Sequence, residues 1–129
     1  MPVVTLITDF GNKDYALAAV KGAIISTVYK PQIIDISHQI EPYKVTQAAY
    51  VLKNAYKTFP KGSIHIIGVE SEKTPENDHL AMFFDGHYFI GADNGIFSMI
   101  TGKLKADKIV TINIHDQNSI VFPILDAFI

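Results

Sequence analysis

The chain has 129 residues, 48% of them apolar, and a formal net charge of −2. That supports one packed domain. All eleven basic residues are lysine, with no basic patch, so neither nucleic acid nor an anionic membrane is an expected partner, and any bidentate guanidinium clamp must come from elsewhere. Without cysteine the chain makes no disulfide and no thiolate metal site. The first residues lack the basic and apolar regions of a signal peptide, and no apolar run reaches membrane-spanning length. The expectation is a soluble, cytoplasmic protein.

Val3 to Thr8 is a β-branched apolar run and reads as a buried strand. Asp9-Phe10-Gly11-Asn12 ends it with turn chemistry. Asp14 is placed to cap a helix over Tyr15 to Val28, with Leu17, Val20, Ile24, Ile25 and Val28 as its buried stripe and Lys30-Pro31 as its stop. Ile33 to Ile36 is a second strand. Val45, Ala48, Ala49, Leu52 and Ala55 fall at helical spacing, with Lys44, Gln47, Lys53 and Lys57 opposite. Pro60-Lys61-Gly62 leads into a third strand, Ser63 to Val69. Strand and helix alternation predicts an α/β fold: a mostly parallel central sheet with crossover helices. A polar stretch, Glu70 to His79, reads as an exposed loop. Leu80 to Phe84 and Tyr88 to Ala92 flank Asp85-Gly86, a β-hairpin signal. Asp93-Asn94-Gly95 turns the chain into an apolar segment, Ile96 to Ile100, and Lys108 to Ile114 is a last strand. Phe122 to Ile129 reads as the start of a new helix, and so abrupt an end is expected where a polypeptide is cut short.

Open parallel sheets bind ligands outside the carboxyl ends of their strands. The polar residues there are Asp9, Asp35 to His38, Glu70, Asp93 and Asn94. The group is acidic and carries no glycine-rich phosphate cradle, so it suits hydroxyls, amines or a cation. Asp9 can accept hydrogen bonds from a vicinal diol such as a ribose, or can serve its own turn. Asp14 can face a ligand ammonium or simply cap its helix. Asp35 and His38 could chelate a metal, with Asp9 as a third ligand, or order the loop between them. Asp93-Asn94-Gly95 is a turn that could also present an amide to a ligand. His65 in a strand and His87 at the hairpin need no functional role.

Taken in order, Ile7-Thr8-Asp9-Phe10-Gly11, Asp14 leading to Lys21-Gly22, Ile34-Asp35-Ile36-Ser37-His38, Phe59-Pro60-Lys61-Gly62 and Asp93-Asn94-Gly95 resemble the S-adenosylmethionine hydroxide adenosyltransferases. The fluorinases and chlorinases are relatives of that family. The likeness covers nearly the whole chain. It implies residues 1–129 as a single N-terminal α/β domain with helices on both faces of its sheet, followed in the family by a β-barrel-like C-terminal domain absent here. It also implies a homotrimer whose nucleoside ligand lies between subunits, and hydrolysis of S-adenosyl-L-methionine to adenosine and L-methionine by water or hydroxide attacking ribose C5′. No cofactor and no metal are implied. By the resemblance Asp9 would hold the ribose hydroxyls, Asp14 the methionine ammonium, Tyr43 the region of the ribose or reacting carbon, and Asn94 the methionyl part.

The chain also departs from the family. Where the hydrolases carry an Asp-Pro-Gly-Val-Gly loop followed by Arg, this sequence has Val69-Glu70-Ser71-Glu72, and His79 falls near the Arg position. Pro123 stands where a later His belongs. Glu70 and His79 could together order a water as catalytic residues, or both could be solvated loop residues. The alternative function is an adenosine- or S-adenosylmethionine-binding domain without hydrolysis.

Overall fold

The computed structural model describes residues 2–11, 15–69 and 78–112. Six strands form one sheet: β1 (Val3–Thr8), β2 (Gln32–Ser37), β3 (Ile64–Gly68), β4 (His79–Phe84), β5 (His87–Ala92) and β6 (Lys108–Ile112), in the order β2-β1-β3-β5-β4-β6. The β2-β1-β3-β5 part is parallel, and β4 runs antiparallel to both β5 and β6. Helices α1 (Ala16–Thr27), α2 (Val45–Ala55) and α3 (Ile96–Thr101) make the remaining layers, with a short 3₁₀ turn at Tyr56–Thr58. The mostly parallel α/β sheet with an added hairpin is the architecture expected above.

Each face of the sheet has its own apolar core. Val4, Leu6, Ile66 and Ile90 meet Val20 and Ile24 of α1 on one side. Ile7, Ile67, Met82 and Phe89 meet Ala48, Ala49 and Leu52 of α2 and Ile96 and Ile100 of α3 on the other. Strand β1 is buried from Val4 to Thr8, as a central strand covered on both faces must be. Phe89 is fully buried, its ring 5.2 Å from that of Tyr56 and 5.1 Å from that of His65. Phe89→Ala should therefore cost about 3–5 kcal/mol, read as a lower urea midpoint.

Several boundaries shift from expectation. Helix α1 starts at Ala16 with Tyr15 as its N-cap residue, and that residue makes no side-chain capping bond; the proposed cap, Asp14, lies outside the described residues. Ile25 is 61% exposed, so it does not belong to the buried stripe. The contact face of α1 is narrower than the periodicity allows, because only Val20 and Ile24 are buried in it. Strand β6 is described to Ile112, and the expected helix over Phe122 to Ile129, Pro123 included, lies outside the described residues.

Both residues of the β4–β5 turn have positive φ, 53° at Asp85 and 79° at Gly86. That is the type I′ geometry whose twist matches the flanking strands. At this end of the sheet a buried polar row crosses three strands. Thr5 Oγ1 lies 2.6 Å from His65 Nδ1, and His65 Nε2 lies 3.0 Å from His87 Nδ1. Burial, then the neighbouring His87, pushes the His65 imidazole down to about 4. Burial also lowers His87, against Asp85, which raises it, and with Lys61, which lowers it further.

Candidate functional site

The chain passes from β1 out to β2 on one side, then back across to β3 on the other. The carboxyl end of β1 is thus the topological switch point, where open sheets leave a crevice. Asp9 is the first residue beyond β1. Its N–H donates to Gly68 O at the end of β3 (3.3 Å), and Gly11 N–H donates to His38 O beyond β2 (2.9 Å). Gly11 supplies the positive φ, 70°, that this bend requires.

One oxygen of the Asp9 carboxylate, Oδ2, accepts the Tyr43 N–H at 3.3 Å. Lys44 N–H closes a turn onto Glu41 O at 3.0 Å, with Pro42 and Tyr43 at its centre. Tyr43 has φ 63°, which places it at the third position of a type II-like turn, where glycine is usual. A left-handed tyrosine costs about 1–2 kcal/mol. Proline before it and the Asp9 carboxylate hold it there, and the residue is 68% exposed. Asp9 and Tyr43, two separate candidates in the sequence, are thus in direct hydrogen-bonded contact. Strain of this kind concentrates at ligand sites.

Asn94 stands at the end of β5, on the same edge of the sheet. Its Nδ2 donates to Val69 O at 3.0 Å, and its Oδ1 accepts Ile96 N–H at 3.2 Å, starting α3. The turn role of Asp93-Asn94-Gly95 is therefore present, with Gly95 at φ 93°. His79 is not in an exposed loop. It opens β4, is 1% exposed, and is in register with Ala92 on one side and Ile112 on the other. Because β4 runs against its neighbours, its first residue falls at the carboxyl edge with Asp9 and Asn94. Glu70 and Asp14 lie outside the described residues.

Asp35 and His38 are engaged with each other, not poised as free ligands. His38 Nε2 lies 2.9 Å from Asp35 Oδ1, and His38 Nδ1 lies 2.6 Å from Thr8 Oγ1. Lys21 Nζ donates to Asp35 Oδ2 at 2.8 Å. Both ring nitrogens of His38 are hydrogen-bonded, and no group of three or more His, Cys, Asp or Glu among the described residues could hold a metal ion. Burial raises the Asp35 carboxyl, but the hydrogen bonds and charges of Lys21 and His38 outweigh it, and its pKa falls below the ordinary value of 3.8. No helix among the described residues is long and apolar enough to cross a membrane. The Lys21–Asp35–His38–Thr8 chain was not foreseen, although the spacing of Asp35 and His38 was its one visible sign.

The model of the SAM hydroxide adenosyltransferase N-terminal domain matches residues 4–129. An (R)-S-adenosyl-L-methionine hydrolase of Methanocaldococcus jannaschii is 34% identical over 118 residues, which cover 88% of this chain and 44% of that protein. A protein of the same name from Thermus thermophilus is 28% identical over 77% of this chain and 38% of its own length. A fluorinase of Actinopolyspora mzabensis is 27% identical over 49% of this chain and 21% of its own length. The chain thus spans less than half the length of these relatives. Among solved structures, a conserved protein from Thermotoga maritima matches with a TM-score of 0.83 at 23% identity, over 97% of this chain and 52% of its own. A conserved hypothetical protein from Thermus thermophilus matches with a TM-score of 0.79 at 24% identity, over 95% of this chain and 51% of its own. These two likenesses concern the fold.

Proposed function

Because this chain belongs to the SAM hydroxide adenosyltransferase family as its N-terminal domain, we propose that it supplies the nucleoside half of a site that hydrolyses S-adenosyl-L-methionine to adenosine and L-methionine. The observation that carries the reading is the Asp9 carboxylate at the switch point, hydrogen-bonded to a strained and exposed Tyr43. A carboxylate there accepts both hydroxyls of a ribose, and the Tyr43 ring beside it covers the sugar or the reacting carbon. Asn94 borders the methionyl part from the end of β5. Asp14, by the family likeness, takes the methionine ammonium.

In the reaction a water oxygen forms a bond to C5′ as the C5′–S bond breaks. The bonding pair leaves on sulfur, the sulfonium becomes a neutral thioether, and the water proton passes to a base or to solvent. The leaving group needs no acid and the reaction needs no cofactor. Catalysis consists of aligning the water with the C–S bond and stripping its solvent. Glu70 and His79 are the residues proposed to order that water; the location of His79 on the site's edge supports its part. The second domain of the family, from a neighbouring subunit of a homotrimer, would close the other wall. We place the protein in the cytoplasm, since no cysteine calls for an oxidising compartment.

One observation favours a second reading, a domain that binds the nucleoside without hydrolysing it: His79 is buried in β4, and the chain holds no arginine to assist it. The test is to incubate S-adenosylmethionine with this chain alone and with a protein joining it to the family's second domain, measuring adenosine and methionine. Equal amounts of both products from the two-domain protein only are expected. Binding without product would establish the second reading, and neither binding nor product would overturn both.

A further inference from the structure

We infer that His38 is a positioning residue for Asp9, acting through Thr8, and that an irregularity in the β1–β2 pairing is what brings it into place. The inference rests on the reading of Asp9 as the ribose acceptor.

Leu6 is in register with Asp35 but Ile7 with Ser37, which leaves Ile36 as an extra residue between them. In a regular strand, side chains three apart project to opposite faces. One inserted residue resets the alternation. His38, the first residue beyond β2, then meets Asp35 at 2.9 Å and Thr8 at 2.6 Å.

The resulting chain of hydrogen bonds has a direction. An ionised Asp35 can only accept, so it receives one hydrogen bond from Lys21 Nζ and another from His38 Nε2. When the ring is neutral and Nε2 carries its proton, Nδ1 is an acceptor, and the Thr8 hydroxyl donates into it at 2.6 Å. With its proton so placed, Thr8 Oγ1 accepts the Phe10 N–H at 3.3 Å. His38 holds the same loop a second time, through its carbonyl and Gly11 N–H. Asp9 lies between these two anchors, and its carboxylate reaches Tyr43 N–H.

Stability alone is a poor account of this arrangement. Lys21 and Asp35 have side chains 35% and 41% exposed, and ion pairs of that exposure contribute about 0–1 kcal/mol. What the chain does supply is orientation: it runs unbroken from Lys21 through Asp35, His38 and Thr8 to the peptide that follows Asp9.

The test follows amide hydrogen exchange by NMR in the wild type and in Thr8→Val, Thr8→Ser and His38→Gln. Thr8→Val keeps the shape and removes the hydroxyl; His38→Gln keeps a donor for Asp35 and moves its acceptor away from the place of Nδ1. Both should speed exchange at Phe10, Gly11 and Tyr43 by about tenfold, the loss of one buried hydrogen bond, while Ile66 in β3 is unchanged. Thr8→Ser should restore protection. Unchanged protection at Tyr43 in both variants would overturn the inference, and His38→Gln carries the test alone if Thr8→Val fails to fold. A parallel titration uses adenosine and 2′,3′-dideoxyadenosine. Thr8→Val should weaken only the first, by about tenfold. Equal weakening of both would overturn the positioning role and leave the proposed function standing. A wild type that binds both equally would overturn the ribose reading, and the exchange data would still decide the role of His38.

Discussion

Asp9→Ala should weaken adenosine binding by about a hundredfold or more. Hydrogen bonds to a charged acceptor contribute about 1.5–3 kcal/mol each, and a vicinal diol makes two. The substitution also removes the acceptor of the Tyr43 N–H, so the strained turn at Tyr43 loses one of its two restraints. Asp9→Asn keeps an acceptor for Tyr43 but offers the ribose a neutral and weaker partner; an intermediate loss of about tenfold is expected. Chemical-shift titration of Gly11 and Tyr43 amides would measure both. The specific control is 2′,3′-dideoxyadenosine, whose binding Asp9→Ala should weaken far less, since only the loosened Tyr43 turn then counts. An alanine variant that binds adenosine as well as the wild type would remove Asp9 from the site.

The second large effect concerns acid. His65 and His87 have their pKa values lowered in the fold, His65 to about 4, against 6.5 in the unfolded chain. Above pH 6.5 both states are neutral, and the pair adds no pH dependence. As pH falls below 6.5 the unfolded chain binds protons that the folded one refuses, so stability drops, and the loss is complete once pH reaches the folded value near 4. For His65 the loss is about 3 kcal/mol at most, and His87 adds to it in the same direction. Urea midpoints at pH 7.5 and 4.5 would show it. In a Thr5→Val, His65→Phe double variant, where the ring can pack among Tyr56, Phe59 and Phe89, the pH dependence should shrink by more than half. A double variant as acid-sensitive as the wild type would show that other groups govern it.

Much of the fold could be read from the sequence because its signals are local. The apolar run of β1 and the Asp85-Gly86 turn lie within single short segments, and so does the stripe of Val45, Ala48, Ala49 and Leu52. What escaped depends on pairing between distant segments. His79 ends a polar stretch and looks like loop; only its registers with Ala92 and Ile112 make it strand. Ile33 to Ile36 looks like any buried strand, and the extra residue at Ile36 is defined only against β1. His65 and His87 looked idle because their contact depends on the parallel register of β3 and β5. At the site, Asp9 was identified by its place at a strand end and Tyr43 by the resemblance. Their hydrogen bond, across 34 positions of chain, was not visible before the fold.

The reversed direction of β4 has an evolutionary consequence. Residue 69 leaves the sheet and residue 78 returns to it at the same edge, and both stems are held by neighbours in the chain: Asn94 Nδ2 donates to Val69 O, and Asp93 N–H donates to Asp78 O at 2.7 Å. Such a clasp fixes the stems whatever number of residues is carried between them, and loop closure grows only slowly in cost with length. Insertions and deletions between these two stems should therefore cost little and leave the strands in place. The carboxyl edge of the sheet is thus a place where chain length can vary while Asp9, Asn94 and the strands that carry them keep their positions.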